Sequence, residues 1–445
     1  MKNNRRQIPR DLDPGIETVI HCPNFDPVAL LHCLRKQDPG RPLIHIDRER
    51  STGWSHIPVE ISGVVEDEGG ERVFDHPLLA EVGDRTGPFP RSAKEGVSPF
   101  SSGIVLLFPF ELAEAWEPTG GPFSAPSVPA IRIDCPRVVS FHAPSGRLFL
   151  PPGVDPSLLA PSDLPAVASS PSSLPLSFNP GESDADFMSA LQKVRQGLED
   201  GRYFQVNLAR RFSADLPEGF DPLAAYARMR ALGSSAFGGF FSWRELFLLS
   251  RSPEQFLAAN GERIVTRPIA GTAPGPEPEG EEPLLRDPKL LAEHVMTVDL
   301  LRNDLGRVCR PGSVGVPRFL GVERLPHLRH LVSDVEGRLA PGITRTDLLR
   351  SLFPGGSVTG APRIAVRREI GLLEGRPRNY YCGAFGYVSG SGQADLSLLI
   401  RTLEGDTGRG RISFGAGAGI VADSVAEDEI REIALKARTM EEVFR

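Results

Sequence analysis

No uninterrupted apolar run in these 445 residues is long enough to span a bilayer, which excludes a helical membrane protein. The start, Met1-Lys2-Asn3-Asn4-Arg5-Arg6, is charged but is not followed by the apolar stretch of a secretory leader, so a cytoplasmic location is expected. Cysteine is sparse. Cys22, Cys33, Cys135, Cys309 and Cys382 are scattered, the nearest pair is too far apart for a C-x-x-C site, and all five are expected to be reduced packing residues. Basic blocks are missing too: the net charge of −7 is spread along the chain, so neither nucleic acid nor an anionic membrane is an expected partner. Lysine is scarce, with six in the chain, and Lys193, Lys289 and Lys436 are those after residue 182.

What is present suffices for one large domain or two ordinary ones. Residues 1–150 mix short apolar runs, such as Leu43-Ile44-His45-Ile46 and Gly103-Ile104-Val105-Leu106-Leu107-Phe108, with many turn residues; this is a strand-rich N-terminal region without a legible function. Residues 151–182 are dominated by Pro, Ser and Ala and read as a linker. In residues 183–445 the pattern sharpens. Helical spacing runs from Asp184 to Asp200 and stops at Gly201, and Tyr203–Phe212 alternates like a strand with Gln205 and Asn207 on one face. Further strands are expected at Phe237–Trp243, Leu246–Ser250 and Ile264–Pro268, with a turn at Ser252-Pro253-Glu254. Helices are expected at Leu285–Asn303, Thr344–Leu352, Ala361–Leu373 and Val425–Val443. Hairpins mixed with helices, without regular βαβ alternation, predict an α+β fold in which large antiparallel sheets are covered by helices.

The end of the chain carries the clearest chemical signal. Gly415-Ala416-Gly417-Ala418-Gly419 lets backbone approach an anionic ligand, and Glu429, Glu432 and Lys436 then share one helical face. Taken alone, such spacing describes a solvated helix face. Two carboxylates beside a carboxylate-binding surface make chemical sense when a divalent cation bridges them.

Several motifs agree in order. Gln205-Val206-Asn207-Leu208, Ser252-Pro253-Glu254, Arg267-Pro268-Ile269-Ala270-Gly271-Thr272, Glu293-His294, Val298 to Gly306, His330-Leu331-Val332-Ser333, Pro354 to Pro362, Ile400-Arg401-Thr402 and Gly417 to Lys436 together resemble the chorismate-utilising enzymes. That group includes anthranilate synthase and aminodeoxychorismate synthase component I and the isochorismate and salicylate synthases. The likeness covers about residues 184–445. It implies an N-terminal region of the anthranilate synthase component I type, a chorismate-binding catalytic domain and a Mg²⁺ cofactor. By the same resemblance Glu293 and Glu432 are the principal metal ligands and Glu429 a supporting one, while Leu290 stands where some relatives have a further Glu. Glu254 matches the general acid that helps the ring hydroxyl depart, and His330 lies close to that edge. Arg401, assisted by Tyr381 and the backbone of Gly417, matches the clamp on the enolpyruvyl carboxylate, with Lys436 near the metal-bound carboxylate. Gly271, Thr272 and Ser357 line the ring pocket.

Two positions bear on the nucleophile. Gln205 stands where water-using relatives carry a lysine base, so ammonia is the expected nucleophile. Ala270 stands where many aminodeoxychorismate synthases carry a nucleophilic lysine and anthranilate synthases carry alanine. Segments such as Pro354 to Gly360 and Tyr381 to Tyr387 nevertheless resemble aminodeoxychorismate synthase component I more closely, and no Leu-Leu-Glu-Ser inhibitor motif is found. The expected function is therefore amination of chorismate to 4-amino-4-deoxychorismate for 4-aminobenzoate and folate. Ammonia would come from a separate glutamine amidotransferase subunit. Anthranilate synthase component I is the alternative, and a non-catalytic chorismate-binding protein the alternative of another class. Arg363 replaces the lysine that usually follows Gly-Ala-Pro, with little loss expected.

Overall fold

The computed structural model describes residues 18–445 except 24, 49, 81–97, 124, 155–174, 234, 275–282 and 326–327. Most of the expected 151–182 linker, the six residues at the start of the chain and the side chain of Thr272 therefore lie outside what is described. Two antiparallel sheets, of 12 and 10 strands among the described residues, stack into a sandwich with helices on the outside. Residues before 151 build one end of each sheet and residues after 178 the other. In the larger sheet the seam is the pairing of Leu43–Arg48 with Gly238–Trp243; in the smaller it is Gly103–Phe108 with Ala384–Ser389. Between the sheets Ile44, Ile46, Phe241 and Leu248 of one meet Val105, Leu107, Phe385 and Tyr387 of the other, all buried. The central strands are apolar on both faces because both are covered, one by the opposite sheet and one by helices. A buried ion pair crosses the sandwich: Arg48 Nε lies 2.6 Å from Asp395 Oδ1, and Gln255 Nε2 donates to the other carboxylate oxygen at 3.0 Å.

The elements that position the site follow local rules. Helix Asp184–Glu199 begins at a Ser183/Asp186 capping box, and Gly201 ends it at φ +71°. Helix Pro288–Gly306 starts three residues later than apolar spacing alone suggests, because the Asp287 side chain accepts from Leu290 N and Pro288 takes the first helical position. Helix Arg363–Glu374 follows Pro362 and ends at Gly375 in the left-handed region. The C-terminal helix Ala426–Glu441 packs on strand Arg411–Ile420. That strand pairs with Gln205–Asp215 over its length, setting Ala209 opposite Gly417 and Arg211 opposite Gly415.

Composition concealed two helices and a hairpin. Helix Pro27–Gln37, capped by Asp26, and helix Pro222–Ala231, capped by Asp221, both lie among turn-like residues. The long hairpin Gly315–Leu325 with Leu328–Arg338 is rich in Arg, Glu and Gly, and its first strand is largely half-exposed, so its alternation is weak. Cys135, Cys309 and Cys382 are buried, Cys22 and Cys33 are half-buried, and all five are free thiols.

Candidate active site

One face of the paired strands Gln205–Asp215 and Arg411–Ile420 forms a floor of alternating small residues. A Cβ added at Gly419 would lie 2.7 Å from Gln205 Nε2 and 3.6 Å from Glu293 Oε2, and one at Gly417 would lie 2.7 Å from Asn207 Oδ1. At Gly415 it would collide with the Tyr381 ring. With period-two geometry, Gly415, Gly417 and Gly419 share this face, so it runs from Tyr381 at one end to Glu293 at the other. Tyr381 is buried beside Gly415, and the Arg378 guanidinium lies 5.6 Å over its ring.

The acid is built from three directions. Glu254 enters strand Gln255–Asn260 with its N–H donating to Ser252 Oγ at 3.2 Å and its carbonyl accepting from Leu398 N at 3.1 Å; Ser252 Oγ in turn donates to Leu398 O at 2.6 Å. The side chain is buried, and Ser357 Oγ donates to Oε1 at 2.5 Å. Burial pushes the carboxyl up to about 7, against the smaller lowering by the serine hydroxyl, so near neutrality it holds a proton. Ser357 sits on a short turn whose neighbours leave no room for side chains: a Cβ at Gly356 would be 2.6 Å from Leu300 Cδ2, and one at Gly355 3.2 Å from Leu398 Cδ1. Asn207 ties the same turn to the floor, its N–H donating to Thr359 O at 2.7 Å and its side-chain amide to Ser357 O at 3.4 Å.

Arg363 braces that turn. Its buried guanidinium donates to Ser351 O at 2.8 Å, Leu352 O at 3.1 Å, Pro354 O at 3.3 Å and Asp304 Oδ1 at 2.7 Å. The planar fork makes four contacts where an ammonium has three donors, so this departure from the lysine pattern has a structural role.

A second wall comes from the smaller sheet. On strand Ile269–Pro274, Ala270 faces Leu331 and Thr272 faces His330 in the ladder. Gly271 has φ +56°, and a Cβ there would lie 2.5 Å from Leu290 Cδ2, so the leucine that stands in an acid's place packs under the wall. His330 is buried, and its Nδ1 donates to Gly271 O at 3.1 Å, which leaves Nε2 as the lone-pair nitrogen. Burial lowers the His330 pKa, outweighing the hydrogen bond to Gly271 that raises it, and the Arg401 charge adds to the lowering, so the ring is neutral. Arg401 is half-buried in the left-handed region at φ +49°, held where Arg251 N donates to its carbonyl at 3.0 Å. Burial and the Arg251 charge lower its pKa, and among the described residues no carboxylate pairs with it. A half-buried cation without an anionic partner among the described residues is suited to an anionic ligand.

The remaining predicted residues meet where the two helices converge. Lys289 Nζ, on the first turn of Pro288–Gly306, lies 2.5 Å from Glu429 Oε1 and 3.8 Å from Glu293 Oε1. Lys436 Nζ lies 2.7 Å from Glu432 Oε1 and donates to Gly417 O at 2.7 Å. Burial, together with Glu429 and Glu432, raises Glu293 to about 7 despite Lys289 and Lys436. Burial alone would lower the Lys289 pKa, but Glu429, Glu293 and Glu432 outweigh it and raise it. Hard carboxylate oxygens that repel one another are the donor set a divalent cation takes. Among the described residues no three such groups converge tightly enough to hold an ion as they stand, and Glu429 and Glu432 are each paired with an ammonium. Sequence reasoning missed Lys289, although its spacing of four from Glu293 was a visible signal.

The sequence profile of the family described as chorismate binding enzyme matches residues 48–442. The chain belongs to that family. It is 37% identical to anthranilate synthase component 1 of Thermus thermophilus over 392 residues, 83% of each chain. It is 41% identical to aminodeoxychorismate synthase component 1 of Salmonella typhimurium over 252 residues, 56% of this chain and 55% of that one. Anthranilate synthase component I from Streptococcus pneumoniae superposes with a TM-score of 0.69 at 25% identity, covering 99% of this chain and 95% of that one. MenF, the menaquinone-specific isochorismate synthase of Escherichia coli, shares the fold at a TM-score of 0.72 and 18% identity, over 97% and 94% of the two chains. The protein is thus a chorismate-utilising synthase, and its α+β sandwich is the one expected from its sequence.

Proposed function

We propose that the protein is aminodeoxychorismate synthase component I, converting chorismate and ammonia to 4-amino-4-deoxychorismate. The observation that carries this reading is the Ser357–Glu254 hydrogen bond: the loop whose sequence resembles the aminodeoxychorismate branch is the one that touches the proposed acid. In this reading Glu254 gives its proton to the departing ring hydroxyl, a task suited to a carboxyl that stays protonated up to about 7. Arg401 would bind the enolpyruvyl carboxylate, assisted by Tyr381 and the backbone of Gly417 on the floor. Neutral His330, held by Gly271 O on the wall strand, would stand close to the edge that loses the hydroxyl. Thr272 and Gly271 line the ring. Glu293, Glu432 and Glu429 would hold Mg²⁺, which when bound supplies positive charge for the ring carboxylate, and Lys436 adds its own charge beside them.

Gln205 places an amide, rather than an amine base, over Gly419, so water meets no strong base there and ammonia, already nucleophilic, is favoured. The component 1 designation of both named relatives supports a second, glutamine-hydrolysing subunit as the ammonia source. None of the five free cysteines lies in a Gly-rich turn that would make it an amidotransferase nucleophile. One observation favours the anthranilate reading: Ala270 carries no amine at the position of the nucleophilic lysine. Incubation with chorismate, Mg²⁺ and ammonium, with and without aminodeoxychorismate lyase, separates the two. Lyase-dependent 4-aminobenzoate is the expected result, and fluorescent anthranilate without lyase overturns the proposal.

A further inference from the structure

We propose that the Lys289 ammonium is a resident counter-ion of the Glu293, Glu429 and Glu432 cluster that a divalent cation must displace, so that this one side chain sets the cation affinity of the site. The inference rests on the reading of those three glutamates as cation ligands. Lys289 stands in the first turn of its helix, where the macrodipole disfavours a positive charge, so the carboxylates and not the helix hold it there. Its Nζ is 2.5 Å from Glu429 Oε1, whose side chain is 2% exposed; without a cation, Glu429 would be a buried charge without compensation. The same Nζ is 3.8 Å from Glu293 Oε1 and therefore occupies the space between the two acids. A Mg²⁺ or Mn²⁺ taken up by these acids would compete with this ammonium for the same carboxylate oxygens.

The two lysines are not equivalent. Their side chains are equally exposed, but Lys436 is tied to the floor through Gly417 O as well as to Glu432, whereas Lys289 contacts carboxylates alone. Lys289 can swing into solvent without moving backbone, taking one positive charge out of a cluster of three carboxylates and two ammoniums. Cation binding is thereby coupled to loss of the Lys289–Glu429 contact, and the measured affinity is the intrinsic one reduced by the strength of that contact.

The test is titration of the full-length protein with Mn²⁺, followed by the electron paramagnetic resonance of the free ion, for wild type, Lys289→Met, Lys289→Gln and Lys289→Arg. The two neutral variants are expected to bind roughly tenfold or more tightly than wild type, since a competing cation is gone. The arginine variant, which keeps its charge, is expected to stay at or below wild-type affinity. A merely structural lysine predicts the opposite order, with every substitution weakening Mn²⁺. Equal or weaker binding by both neutral variants, with wild type binding normally, overturns the proposal alone. Absence of Mn²⁺ binding in wild type and variants alike overturns the cation-site reading and this inference with it. Glu432→Gln is the control: it weakens Mn²⁺ in both the wild-type and the Lys289→Met background if the glutamates are ligands.

Discussion

Glu254, buried, and Arg401, half-buried, are ionisable side chains without an opposite charge among the described residues, and burial disfavours the charged form of each. The consequence for Glu254 has a definite sign. Its pKa rises from 4.5 in the open chain to about 7 in the fold, so between those values the folded state binds a proton that the unfolded state does not. Stability from this group is therefore greatest below pH 4.5, falls as pH rises, and levels off above about 7. Glu254→Gln removes that loss. Urea unfolding is expected to show the variant more stable than wild type at pH 8 by up to about 3 kcal/mol, with the gap closing toward pH 5. The same variant should bind chorismate and turn nothing over, and the wild-type kcat/KM should fall above about pH 7; normal turnover by Glu254→Gln removes Glu254 from the acid role. Arg401→Gln is expected to raise the Kd for chorismate roughly 10- to 100-fold, the loss of a charge-assisted clamp, while leaving the unfolding midpoint of the free protein unchanged or higher. A variant that loses stability and keeps its affinity would show that Arg401 serves the fold.

At the scale of elements, the site is an intersection: a turn, a strand floor, a histidine wall and two helix ends, each correct only relative to the others. Gly419→Ala puts a methyl 2.7 Å from Gln205 Nε2 and into the side of the floor nearest Glu293. Calorimetry should show weakened chorismate binding with little change in the fold, because the strand itself accommodates alanine. Arg363→Lys tests the brace. Lysine has too few donors to serve Ser351 O, Leu352 O, Pro354 O and Asp304 together, so a loss of about 1–3 kcal/mol is expected in denaturant unfolding, with kcat lowered through the loosened Ser357 turn. An unchanged midpoint would contradict the brace. The elements themselves were legible where periodicity was strong: Leu246–Ser250 is a strand as expected, and Thr344 caps the helix Arg345–Leu352. Boundaries slipped where a single side chain overrode the pattern, as at Asp287-Pro288 and at Asp304, which Arg363 holds in the last helical turn.

On the scale of the whole molecule, the sandwich is stitched by groups distant in sequence. Arg48 on the larger sheet and Asp395 on the smaller are 1% and 9% exposed, so removing one strands the other. Asp395→Ala is expected to cost about 3–5 kcal/mol in chemical denaturation, whereas replacing both residues with apolar ones of similar volume should recover much of that loss. A cost below 1 kcal/mol would mean that water reaches the pair. The N-terminal region contributes none of the predicted site residues, yet it closes the apolar edges at Gly238–Trp243 and Ala384–Ser389.

The sequence by itself determined the class of chemistry. The Gly-rich strand exit and spaced acids were ambiguous alone, and it was the order of many short motifs, with the family they resemble, that pointed to the chemistry; such motifs are local and survive in one dimension. The sandwich class was legible for the same reason, since strand and helix periods are short-range properties. Only the tertiary structure decided which groups meet. That Ser357 donates to Glu254 across 103 positions, that Lys289 reaches Glu429 across 140, and that Arg401 has no carboxylate partner among the described residues are consequences of packing two sheets and two helix ends around one floor. Burial, which raises Glu254 and neutralises His330, belongs to no single segment. It arises when distant segments exclude water together, and so it could not be read from any of them alone.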